Sequence, residues 1–63
     1  MPLAQITIWE GRTPEKKEEI IQKVTETLCQ TVGCKPEAVT VILQEVPKAN
    51  WGFAGSPATK SVK

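Results

Sequence analysis

The chain has 63 residues, 40% of them hydrophobic and 24% charged, which is room for one domain spanning residues 1–63. A chain this short buries only about 60% of the surface that its unfolded form exposes, so its core needs a disulfide, a metal or a partner chain. With no histidine, no aspartate and two cysteines, a four-ligand zinc site cannot be assembled within the chain, and no metal is expected.

Cys29 falls inside a helical pattern and Cys34 just beyond it, a spacing that sets the two too far apart for a bridge, so both are expected to remain free thiols. Association with other chains is the support left over. Seven lysines and one arginine against seven glutamates give +1, with no basic run interleaved with aromatics, so no nucleic-acid partner is expected. No apolar stretch approaches the roughly 20 residues that span a bilayer, and the amino terminus has no leader pattern, so a cytoplasmic protein without a membrane partner is expected.

Leu3 to Trp9 alternates, with Ala4, Ile6 and Ile8 on one side and Leu3, Gln5, Thr7 and Trp9 on the other, the period of a strand. Glu10-Gly11-Arg12 breaks the pattern. Thr13-Pro14-Glu15 then offers a capping hydroxyl, a proline suited to a first helical turn and an acid near the positive end of the dipole. From Pro14 to about Val32, Ile20, Ile21, Val24, Leu28, Cys29 and Val32 recur at helical spacing and form the apolar face, and Gly33 is placed to end the helix. Val39 to Val46 reads as a second strand, apolar on both sides. Strand, helix and strand make a right-handed βαβ unit with parallel strands, and one helix leaves the far sheet face to meet another chain. Beyond Pro47, the stretch Lys48 to Pro57 mixes glycines with Trp51 and Phe53 and reads as a short hairpin that docks on a neighbour or lines a pocket, followed by a flexible tail from about residue 57 to 63.

The chemistry is narrowed by subtraction. Without His and Asp, a Ser-His-Asp or Cys-His arrangement is impossible in one chain. Glu15, Glu18, Glu19 and Glu26 belong to a solvated helix face, which leaves Glu10 and Glu45 at the strand ends as the acids open to a site role. Cys34 has only Lys35 nearby to lower its pKa and reads as inert. Gly52 and Gly55 are turn glycines, since no helix follows them to complete a phosphate cradle.

Pro2 follows an initiator methionine of the kind that is trimmed before a small residue. Trimming would expose a secondary amine, and a free α-amino group titrates at about 7.7–8.0. Burial beside Trp9 or Trp51 and near Arg12 would lower that value and leave a neutral amine fit for general-base work. Arg12 is the single arginine, with a fork suited to a carboxylate. Taken singly, each has a plainer explanation: Pro2 as a common second residue, Arg12 paired with Glu10 or Glu15, and Trp9 and Trp51 as core or interface anchors.

Taken together, Pro2 opening a strand, Glu10-Gly11-Arg12-Thr13-Pro14-Glu15-Lys16-Lys17 entering the helix, the strand VTVILQEV and Asn50-Trp51-Gly52-Phe53-Ala54-Gly55 closely resemble the 4-oxalocrotonate tautomerase family over essentially the whole chain. The resemblance implies an α+β fold: a single βαβ tautomerase/MIF-like subunit with a short C-terminal hairpin, its parallel strands paired across an oligomer in a homohexamer, a trimer of dimers. It implies a cofactor-independent tautomerase, an isomerase of aromatic catabolism that interconverts enol and keto forms of a small carboxylate-bearing substrate. Residue by residue, the general base maps to Pro2, the carboxylate-binding arginine to Arg12 and the pocket aromatic to Trp51, where better known members carry phenylalanine. Trp9 stands where leucine is more frequent.

The family's second arginine, which polarises the substrate carbonyl, maps to Thr40. Losing one such donor costs about 2.7–4 kcal/mol of transition-state stabilisation unless Thr40 itself as a substrate-binding hydroxyl, a backbone amide, a water or Lys48 of some subunit replaces it in part. The alternatives are hydratase- or dehalogenase-like activity on an unsaturated acid, or a non-catalytic subunit of a hetero-oligomer.

Overall fold

The alternating segment at the amino end forms strand β1 (Leu3–Trp9) and exposes every second residue, with Ala4, Ile6 and Ile8 on the covered side. The computed structural model describes residues 1–61. The cap expected at Thr13 is present: its Oγ1 accepts a hydrogen bond from the Lys16 backbone N–H at 3.2 Å, Pro14 occupies the first turn, and helix α1 runs Pro14–Val32. Gly33, in the left-handed conformation, closes the helix by donating its N–H to Cys29 O at 3.0 Å. A short 3₁₀ turn, Pro36–Ala38, leads into β2 (Thr40–Val46), which starts one residue later than the sequence pattern suggests because the Val39 N–H is used by that turn, on Pro36 O.

β1 and β2 pair in parallel from Leu3↔Thr40 to Trp9↔Val46, and α1 lies over the side that carries Ala4, Ile6, Val41 and Leu43. The helix meets this sheet through Ile20, Val24, Leu28 and Cys29, all half-buried. Ile21 and Val32, expected on the same apolar face, are exposed instead. A two-stranded sheet is too narrow to cover a full helical stripe, so its flanks stay open. Among the described residues the opposite sheet face is left uncovered over most of its length: Leu3 is 57% exposed and Ile42 44%, beside a cross-strand hydrogen bond from Thr7 Oγ1 to Gln44 Oε1 at 3.4 Å.

After Pro47 the chain makes a 3₁₀ turn at Lys48–Asn50 and a hairpin of β3 (Gly52–Phe53) and β4 (Ser56–Pro57), the hairpin read from sequence. Its two central residues, Ala54 and Gly55, have φ of 47° and 86°, the positive pair of a type I′ hairpin turn. Residues 57–61 differ from the frayed segment expected there. Pro57 is paired in β4, and Ala58–Ser61 forms a turn of helix, α2. Ala58 anchors it, donating its N–H to Trp51 O at 2.7 Å, and it is the one fully buried residue among those described. The last two residues of the expected tail lie outside the described residues.

One buried alanine is not a core. The chain exposes 4873 Å², against about 4,000 Å² for a compact monomer of its mass, and its radius of gyration of 14.6 Å exceeds the roughly 11 Å of a compact 63-residue domain. The excess is the bare sheet face, the helix flanks and the protruding hairpin, where Phe53 is 48% exposed.

Candidate functional site

The residues singled out in the sequence fall at the two opposite ends of the β1–β2 ribbon. At the amino end, Pro2 is half-buried and its carbonyl accepts the Thr40 N–H at 3.1 Å, so the strand register itself holds Pro2 against Thr40. Thr40 is exposed. The start of β1 therefore offers an amide-linked ring, a hydroxyl and open space.

At the carboxyl end, Trp9 and Trp51 meet edge to face, with ring centroids 5.8 Å apart and planes at 75°. Lys48 Nζ lies 4.9 Å from the centre of the Trp9 ring. This explains why Trp9, although on the open sheet face, is half-buried: the 3₁₀ turn and Trp51 fold back over it. The Trp9 Nε1–H is buried without an acceptor. Arg12 follows directly, in the loop that leads to the helix N-terminus, and Gly11 before it has φ of 115°, a conformation that a side chain would strain. The Arg12 guanidinium is exposed and, among the described residues, forms no ion pair with Glu10, Glu15 or any other carboxylate.

Strand β1 is seven residues long, which at roughly 3.3 Å per residue puts about 20 Å between these two ends. Within one chain, Pro2 and Thr40 are thus brought together, as are Trp9, Trp51 and Lys48, but the first group is not brought to the second or to Arg12. A groove of about 340 Å³ joins Arg12 to Lys16, Glu19, Ile20, Lys23 and Val24 along the helix and reaches neither Pro2 nor Trp51.

Of the other candidates, Glu10 is exposed and, among the described residues, its carboxylate forms no ion pair; the rest resolve into structural parts. Glu45 accepts a hydrogen bond from Lys17 Nζ at 3.0 Å, an ion pair that pins the helix start to the end of β2 and takes that acid out of the site. Glu19 and Glu26 pair with Lys16 and Lys23 on the solvated helix face at 3.6 and 3.8 Å. Both cysteines are free thiols, as expected from their spacing; Cys34 Sγ turns back toward Leu28 O at 3.9 Å. Partial burial, then the neighbouring Cys34, pushes the Cys29 thiol above its ordinary value, which suits an inert packing group. Among the described residues no three Cys or Glu side chains gather as a metal ion would require, and no helix is long and apolar enough to cross a membrane.

Residues 2–61 match the family model described as tautomerase enzyme. This chain belongs to the tautomerase family. It is 48% identical over 58 residues to a 2-hydroxymuconate tautomerase of Comamonas testosteroni, covering 92% of each chain. It superposes with a TM-score of 0.91 on a 4-oxalocrotonate tautomerase isozyme of Methylibium petroleiphilum at 44% identity, covering 98% of this chain and all of the other. It also superposes, with a TM-score of 0.90 at 30% identity and coverage of 95% and 97%, on a chain of a heterohexamer 4-oxalocrotonate tautomerase from Chloroflexus aurantiacus. The α+β subunit inferred from sequence is the fold of this family, and the protein is a tautomerase, an isomerase of the 4-oxalocrotonate group.

The Lys48 contact on Trp9 carries no local sequence signal, because the two residues are far apart in the chain and meet only through the strand register and the turn after β2.

Proposed function

We propose that this tautomerase interconverts the enol and keto forms of a small carboxylate-bearing substrate without a cofactor, with the amine of Pro2, freed by removal of Met1, as general base. The neutral amine takes a proton from the substrate's conjugated enol and returns it to a carbon of the same system, leaving a ketone and restoring the amine. Arg12 grips the carboxylate through paired hydrogen bonds. Trp51 and Trp9 form a dry wall that disfavours the charged amine. Thr40, held beside Pro2, offers a hydroxyl to the substrate oxygen.

The observation that carries this reading is the split of the residues between two ends of one ribbon, each end open and Arg12 without a carboxylate of its own. A second chain laid along the bare sheet face, its β1 antiparallel to the first, would bring one chain's Pro2 to the other's Trp9 and Arg12. That favours a homohexamer, a trimer of dimers, with sites shared between subunits; a cytoplasmic location and a substrate of the kind met in aromatic catabolism belong to the same proposal through the family resemblance. The test is turnover of 2-hydroxymuconate and phenylenolpyruvate by a chain whose intact mass shows Met1 gone. Pro2→Ala is expected to lower turnover by roughly 10²–10⁴-fold, and retention of Met1 to do the same. An unchanged rate in either would overturn Pro2 as the base.

A second reading rests on Thr40. It puts a neutral group where the resemblance places a second cation, and the Chloroflexus relative assembles as a heterohexamer, so a partner chain of a different sequence would supply the missing charge. A purified chain that forms hexamers yet turns over no enol acid until a second subunit is added would favour it. Hydration or dehalogenation of an unsaturated acid by the same amine would show as water addition or halide release in place of enol loss.

A further inference from the structure

Three of the lysines on the body of the fold are neutralised within the chain: Lys16 by Glu19, Lys17 by Glu45 and Lys23 by Glu26. Lys48 is treated differently. Among the described residues it forms no ion pair, and its ammonium rests on the face of Trp9. It stands on the turn that follows β2, at the same end of the ribbon as Trp51 and as Arg12. The ring beneath it also carries the buried indole N–H that lacks an acceptor. One cation and one donor, on a single aromatic group, are both without an electron-rich oxygen.

We propose that Lys48 is a specificity-determining residue of the tautomerase site: it leaves the face of Trp9 to take the second acidic group of a conjugated dicarboxylate, whose flat carbon chain then lies against the indoles. This rests on the reading of Trp51 and Arg12 as parts of the substrate site. Lys48 is itself exposed, and a solvated ammonium over an aromatic ring is held more weakly than one hydrogen-bonded to a carboxylate in a partly dry pocket, so the exchange runs toward the ligand. The four-carbon stem of lysine gives the ammonium the freedom to make the move. Arg12 binds one carboxylate; Lys48 answers only to the other. A monocarboxylate with the same conjugated chain leaves Lys48 where it is.

Binding separates this role from catalysis, because it needs no turnover. Trp9 and Trp51 are the two tryptophans of the chain, so their emission reports the cluster directly. The full chain, with Met1 removed, is titrated with muconate, a conjugated diacid that has no enol to turn over, and with sorbate, its monoacid counterpart. Lys48→Met is expected to weaken muconate by about tenfold, which is roughly 1.4 kcal/mol, while sorbate changes by less than about twofold. Lys48→Arg keeps the charge and is expected to recover most of the muconate affinity. The tryptophan emission of free Lys48→Met is expected to differ from that of the wild type, since the ammonium no longer rests on Trp9.

Equal weakening of both acids, no weakening of either, or no binding of muconate by the wild type would each overturn the proposal. The base assignment fails by a separate route, through Pro2→Ala turnover, and a lysine without effect on diacid affinity leaves that assignment standing.

Discussion

The two ends of the parallel ribbon are built from different materials. At the amino end Pro2 and Thr40 are joined by one backbone hydrogen bond and present small groups to open space. At the carboxyl end a turn, a hairpin and a buried alanine fold back to stack two indoles and a lysine beside the loop that carries Arg12. In the proposed reading the first end supplies the amine and the Thr40 hydroxyl but no cation to hold a carboxylate. The second supplies Arg12 and the indoles but not the amine. The proposed site therefore comes into being between chains, and the surplus of exposed apolar surface supplies the force that joins them.

That contrast can be broken at the joint. Ile42→Glu puts a charge into the middle of the uncovered sheet face, where a partner would bury it unpaired, at a cost of several kcal/mol. Sedimentation is expected to show smaller species, and turnover is expected to vanish with the assembly although Pro2 and Arg12 are untouched. Full activity in a dissociated chain would place the whole site within one subunit.

The carboxyl end is sharpened by Arg12→Ala. A hydrogen bond to a charged group contributes about 1.5–3 kcal/mol, so kcat/KM for an enol acid is expected to fall roughly ten- to hundredfold, most of it in KM if the grip is equal in the ground and transition states. Arg12→Lys is expected to recover only part, since a point charge does not reproduce the fork. The smallest effect tests the scaffold alone. Ala54 holds a φ of 47°, a left-handed conformation that is costly for a residue with a Cβ, and Ala54→Gly is expected to stabilise the fold by about 1 kcal/mol in denaturant unfolding without altering KM.

Much of the fold could be read from the sequence because its signals are local. The alternation through β1, the Thr13 cap, the helical run to Val32 and the glycine that ends it depend on neighbours within a few residues. The end of the chain read less well. Ala58 looks like the start of a polar tail, yet its backbone N–H finds the Trp51 carbonyl and its methyl becomes the buried point of the hairpin, a long-range fit that no periodicity announces. Glu45 shows the same limit: its place at a strand end left a site role open, and only the packing of α1 on β2 revealed Lys17 as its partner. Of the site, residue types were legible and relative positions were not. Pro2 and Arg12 stand ten positions apart in sequence, and only an extended strand between them makes that a separation of about 20 Å.

The shared site is tested most directly by mixing two damaged chains. Pro2→Ala keeps an intact Arg12, and Arg12→Ala keeps an intact Pro2; the two are co-expressed with different tags and the mixed oligomer is purified through both. Turnover well above that of either parent assembly is expected, because some sites then pair a working base with a working arginine from different subunits. A mixed oligomer no more active than its parents would contradict a site divided between chains.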